Sequence, residues 1–353
     1  YSTASAELFA TASIALLDSL NCVDYLCFGC ETDSIDLLNT VAEILINEPK
    51  EYKDLLTLNL KTGISFPKAR AKALDEYFKK YNLDYSLDIN SNNYAKYHSD
   101  ITSNSNLDIN TFINQPNNIL GIEYIKALMR FNSKINPVPL KRLGAGYHSL
   151  DTRTKLASAT GIRTAMANKD NISGLLPDNC LNIIKNHTTI EYNDFSTVLG
   201  SKLLSMDTLD HIEGINQDLS NRIANNKYNF TDIETFIPML QSKNYTYSAI
   251  SRALLHIILD IKTDDIKEFI SNNYVNYAMI LGFNKNTGIL SEINKYTKIP
   301  LVSKFATFYK EADNNQRKML DINLKADNLY RMIYMNKTSE TLPTEFQRQI
   351  IIK

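Results

Sequence analysis

Three short strings hold the side chains that could handle a phosphorylated substrate. In RLGAGYHS, Arg142 closes a β-like run, and Gly144 and Gly146 follow at once. Glycines so placed allow backbone N–H groups to converge on an anion, and an arginine fork beside them can grip two phosphate oxygens. A tight glycine turn with a solvated arginine fits the same spacing. In ASATGIR, Ser158 or Thr160 is positioned to cap a helix whose amino end would attract phosphate, with Arg163 on its first turns. An ordinary capped helix would look alike. In CFGCE, Gly29 ends another β-like run, where ligands approach the backbone of an open α/β sheet.

Other chemistries are poorly served. Cys27 and Cys30 make a C-x-x-C, but it lacks the second pair that a structural zinc site wants, and it ends a strand where redox pairs open a helix. Buried or part-buried thiols and no metal are the expectation. His98, His148, His187, His211 and His256 show no H-x-x-x-H or H-E-x-x-H spacing, and only His148 adjoins a candidate site. Neither a G-x-S-x-G elbow nor a Walker A string is present.

The elements that must position these residues read as an α/β part followed by a helical part, mostly α in total. At 353 residues and 44% hydrophobic content the chain has material for two packed units. Its net charge of -1, from 38 basic and 39 acidic residues, leaves any RNA contact to local patches. Four cysteines, three of them crowded together, do not form a secreted disulfide framework and fit a reducing cytoplasm. The opening residues carry Glu7 and Asp18 and no basic n-region, which argues against a signal peptide or membrane span. Tyr1 leads straight into a helical pattern without an initiator methionine, so a fragment is expected.

Apolar residues at helical spacing predict a helix to Leu20, then a strand in CVDYLCFG, then helices near 33–46, 51–62 and 66–80. Asp33 or Ser34 would cap the first of these three, and Pro67 suits an opening turn. From 82 to 115 the text is rich in Asn, Ser and Asp and reads as a loop insertion or mobile segment. PNNILGIEYIKALMRF restores a helix, with Asn117 or Asn118 as its cap, and the β-like INPVPLKRL follows. The expected division is 1–190 for the α/β domain and 191–353 for the helical one, with no convincing strand after about residue 193. Within the second part, HIEGINQDLSNRI resembles one helix-hairpin-helix unit with Asn216 where a second glycine would stand. YTYSAISRALLHIIL has an apolar face with Arg252 and His256 on it or beside it, as core helices commonly do.

Taken together, SAELFATASIALLDSLNCVDYLCFGCE, GISFPKARAKAL, PNNILGIEYIKAL, RLGAGYHS with SATGIR, YTYSAISRALLHIIL and LGFNKNTGILSEINKYTKIPL resemble, in order, segments of the bacterial tRNA(Met) cytidine acetate ligases, from residue 5 to about 304. The resemblance implies a Rossmann-like nucleotidyltransferase domain joined to a helical tRNA-binding region. It implies an ATP-dependent ligase that activates acetate as acetyl-adenylate, with Mg2+ accompanying the ATP, and acetylates N4 of the wobble cytidine of elongator tRNA(Met). By position, ATP contacts carry over to Gly29, to Asn117 (with Asn118 equally placed) and to Arg142; Gly144, Ser158, Thr160 and Arg163 are the further phosphate-binding candidates. The family opens with a P-F-H-N-G-H type motif, and no such string occurs here. The α/β domain is therefore expected to be N-terminally incomplete, and this chain alone inactive, because those histidines resemble the ones that stabilise the phosphoryl transition state. Two other readings stay open: a small-molecule adenylyltransferase, and a non-catalytic RNA-binding protein that has lost the histidine motif.

Overall fold

A computed structural model describes residues 1–81, 83, 109–142 and 157–353. Contacts divide the chain into Asp24–Asp170 and a second unit made of Tyr1–Val23 with Asn171–Lys353. The expected boundary at 190 thus falls at 170, and the first helix joins the C-terminal part.

In the Asp24–Asp170 unit, strand β1 (Tyr25–Cys30) pairs in parallel with β2 (Asn136–Lys141), with Gly29 opposite Leu140 and Cys30 opposite Lys141. A parallel pair needs a long crossover. Here it contains α2 (Ile35–Asn47), α3 (Lys50–Lys61), α4 (Phe66–Tyr81), α5 (Ile109–Asn114) and α6 (Pro116–Arg130), and α7 (Ala159–Ala167) follows β2. Ser34 caps α2 by accepting from the Leu37 amide at 3.4 Å. The six residues of α5 lie inside the stretch expected to be a loop. They are helical because Ile109, Phe112 and Ile113 are buried in one core with Leu38, Leu74, Phe78, Ile122 and Ile125. Burying such side chains stabilises by about 1.5–3 kcal/mol each, more than the polar neighbours Asn110, Thr111 and Asn114 remove in helix propensity.

One contact fixes α6 against β1. A Cβ placed on Gly121 would come within 2.7 Å of Cε2 of Phe28, so only glycine permits this approach.

The other unit comprises α1 (Ala6–Leu20), α8 (Asp178–Lys185), α9 (Ser196–Ser205), α10 (Gln217–Asn226), α11 (Ile233–Leu240), α12 (Tyr247–Leu259), α13 (Thr263–Ser271), α14 (Ile289–Tyr296), α15 (Phe305–Glu311) and α16 (Asn314–Thr338). Its main core gathers Leu199, Ile212, Leu219, Phe236, Ile250, Leu254 and Ile257. Contrary to expectation, strands do occur after residue 193, as two-residue parallel pairs: β3 (Ala278–Met279) with β5 (Leu301–Val302), and β4 (Gly282–Phe283) with β6 (Ile351–Ile352). Among the described residues no helix is long and apolar enough to cross a membrane.

Candidate functional site

At the carboxyl end of β1 the chain passes from Gly29 through Cys30 and Glu31 to Thr32, and the amino end of α6 meets it there. Burial alternates along β1, putting Cys27 and Gly29 on the exposed face and Phe28 and Cys30 in the core. Three residues apart on a strand, the two cysteines face opposite ways and cannot close on one ion. Burial first, then the charges of Asp33 and Glu31, push the Cys30 thiol up to about 11, so it stays protonated at neutral pH.

The cap of α6 is not the one the sequence suggested. Gln115 is the N-cap but its side chain caps no helix amide, Pro116 opens the helix, and Asn117 and Asn118 lie inside the first turn. The capping carboxylate is Glu31. It accepts from the Asn117 amide at 3.3 Å, the Asn118 amide at 2.9 Å and Asn117 Nδ2 at 2.6 Å. A carboxylate at a helix amino end stabilises by about 0.3–1 kcal/mol, and by up to ~2 kcal/mol when part-buried.

Asn118 answers in the other direction. Its Oδ1 accepts from the Glu31 amide at 3.0 Å and the Thr32 amide at 3.1 Å. Its Nδ2 donates to Gln115 Oε1 at 2.7 Å and the Phe112 carbonyl at 3.1 Å, with Thr32 Oγ1 at 3.4 Å. With 0% exposure and both ends of its amide engaged, Asn118 is a clamp between strand end and helix start. Asn117 is half-buried and retains its Oδ1 on the open side, 3.4 Å from Nη1 of Arg142.

Arg142 follows β2 and continues its ladder, its amide donating to the Cys30 carbonyl at 2.8 Å. Its exposed side chain lies across Gly29, where a Cβ would meet Arg142 Cγ at 3.4 Å. The structure therefore brings Gly29, Asn117 and Arg142 together. Since Glu31 already occupies the α6 amides, an anion arriving here would be gripped by the Arg142 guanidinium and not by the helix end.

The other described candidates sit at and in α7. Ser158 is the N-cap of α7, accepting from the Gly161 amide at 2.9 Å. Thr160 lies inside the helix and accepts from Nη2 of exposed Arg163 at 3.4 Å. Gly144 and His148 lie outside the described residues. Glu31 is the residue that sequence reasoning passed over. Its signal was an acid two places beyond Gly29, but its partners stand 86 and 87 residues away.

The sequence model of the HIGH nucleotidyl transferase family matches residues 1–345. The tRNA(Met) cytidine acetate ligase of Halothermothrix orenii is 32% identical over 349 residues, covering 95% of this chain and 78% of that protein. The ligase of the same name from Thermoanaerobacter sp. is 33% identical over 346 residues, covering 96% of this chain and 79% of its own. The chain belongs to the HIGH nucleotidyl transferase family, among the tRNA(Met) cytidine acetate ligases. Crystal structures of Thermotoga maritima TmcAL agree with this fold. The apo form has a TM-score of 0.82 at 24% identity, covering 98% of this chain and 80% of that one. The form bound with alpha-thio ATP also scores 0.82, at 25% identity, covering 99% and 81%.

Proposed function

We propose that this chain takes part in the ATP-dependent acetylation of N4 of the wobble cytidine in elongator tRNA(Met), by way of acetyl-adenylate. The observation that supports it is the convergence of Gly29, Asn117 and Arg142 at the carboxyl edge of a parallel pair, the edge where open α/β sheets take nucleotides. The relative bound with alpha-thio ATP supports ATP as the nucleotide.

In the first step a carboxylate oxygen of acetate attacks the α-phosphorus of ATP, and pyrophosphate leaves. In the second, the cytidine N4 amine attacks the acetyl carbonyl carbon, AMP leaves and the amine loses a proton. Arg142 holds phosphate oxygens, the bare Gly29 backbone admits the nucleotide close to the strand, and Asn117 Oδ1 keeps the guanidinium aimed. Among the described residues no three His, Cys, Asp or Glu side chains gather as a metal-binding group. A magnesium ion accompanying ATP would be held by the nucleotide phosphates. Gly144, Ser158, Thr160 and Arg163 remain proposed phosphate contacts.

The 353 residues contain no P-F-H-N-G-H type string, and we assign the electrostatic work of adenylation to such a segment. The second unit is the tRNA-binding part of this scheme. Labelled acetate, ATP and an elongator tRNA(Met) transcript test the whole reading, comparing this chain with a form carrying the histidine segment. Acetyl transfer only in the longer form is the expected result. Pyrophosphate release without transfer points to a small-molecule adenylyltransferase, and no ATP use in either form points to a non-catalytic RNA-binding protein.

A further inference from the structure

Arg252 lies on α12, whose amino end is capped by Thr246 accepting from the Ala249 amide at 3.3 Å. The residues around it turn inward: Ile250, Ser251, Ala253, Leu254 and His256 are all buried. Arg252 is itself half-buried, and burial lowers its affinity for its proton. Yet among the described residues it makes no hydrogen bond and no ion pair. Arginines that give up water ordinarily do so against a carboxylate, because an unmatched buried charge is costly. Here the neighbouring polar groups are committed elsewhere. His256, one turn on, donates from Nδ1 to the Glu213 carbonyl at 2.8 Å and accepts at Nε2 from Thr3 Oγ1 at 3.0 Å. Glu234, the acid facing Tyr247, accepts from Asn193 Nδ2 at 3.1 Å.

What lies in its neighbourhood instead is aromatic. Tyr192 holds Ser251, the chain neighbour of Arg252, through a 2.5 Å hydroxyl contact and acts on the Arg252 charge; Tyr192 and Tyr247, the first residue of α12, are 38% and 45% exposed. A partly dehydrated guanidinium with no anion, next to open phenol rings, is the chemistry that receives a nucleic acid backbone, the charge taking a phosphate and the rings taking a sugar or base. We propose that Arg252 is a receptor for an RNA phosphodiester, with Tyr192 and Tyr247 as its stacking walls. The inference rests on the tRNA reading above and deepens it by naming where the helical unit holds the backbone.

The test uses the full chain and two variants, Arg252→Met and Arg252→Lys. Three things are measured: binding of fluorescein-labelled elongator tRNA(Met) transcript across a KCl series, ATP binding by calorimetry, and thermal melting. Arg252→Met should weaken tRNA binding roughly tenfold or more, and reduce the slope of log affinity against log salt by about 0.7–0.9, the loss of one phosphate contact. Arg252→Lys should keep the slope, ATP binding should not change, and the Met variant should melt no lower than the parent, since an unmatched charge has been replaced by apolar volume. Unchanged tRNA affinity and slope in Arg252→Met, beside a parent that binds, overturns this inference alone. A parent with no salt-dependent tRNA binding overturns the functional reading with it. A Met variant that loses ATP but keeps tRNA, or that fails to fold, also overturns it.

Discussion

Two arginines separate the two units of this chain. Arg142 lies exposed over Gly29, with Asn117 Oδ1 beside its guanidinium. Arg252 is half-buried, and among the described residues nothing bonds to it. Each stands close to a buried polar residue whose own requirements are met: Asn118 in one unit, His256 in the other. The difference lies in when water is surrendered. In its proposed role Arg142 would exchange solvent for phosphate at the moment of binding, with modest net gain, which suits a nucleotide that must enter and leave. Folding has already removed part of the water around Arg252, so in its proposed role a contact there would add more and be restricted to ligands shaped to reach it.

The largest effect that would sharpen this contrast is expected at Asn118. Asn118→Ala leaves the Glu31 and Thr32 amides without their acceptor and should lower stability by about 2–4 kcal/mol in urea unfolding. A loss under about 1 kcal/mol would mean that Asn118 is not the clamp described. Arg142→Ala should leave stability unchanged while weakening ATP binding by about 1.5–3 kcal/mol, roughly 10- to 150-fold by calorimetry. Unchanged ATP affinity would break the comparison at its first member.

The third effect concerns His256. Burial, its largest influence, holds the imidazole below its ordinary pKa. As pH falls through about 6.5 the unfolded chain takes up this proton before the folded one. The stability contributed by neutral His256 is therefore complete above that pH and declines below it. Thermal melts from pH 7.5 to 5 should fall less steeply for His256→Gln than for the parent. Parallel curves would show that His256 is not held neutral.

Much of the frame around Arg142 was legible from local signals. The β runs ending at Gly29 and Arg142, the Ser34 cap and the Ser158 cap all depend on residues a few places apart. Glu31 was not legible, since its meaning comes from amides 86 and 87 positions further on. Nor was α5, whose six residues are too few to show a helical period within an Asn-rich text. Strands β3 to β6 are two residues each, too short for alternation. Arg252 was visible as a charge on an apolar helix, but that it finds no partner among the described residues is a property of the packed unit.

The close approach of α6 to β1 ties positions 121 and 28 into one unit of heredity. Even a methyl group at 121 would meet the Phe28 ring at 2.7 Å, so position 121 cannot gain a side chain while Phe28 keeps its ring. Substitutions that are harmful singly become acceptable as a pair, a larger residue at 121 matched by a smaller one at 28. Across descendants of this chain a side chain at 121 should appear only where position 28 has become smaller.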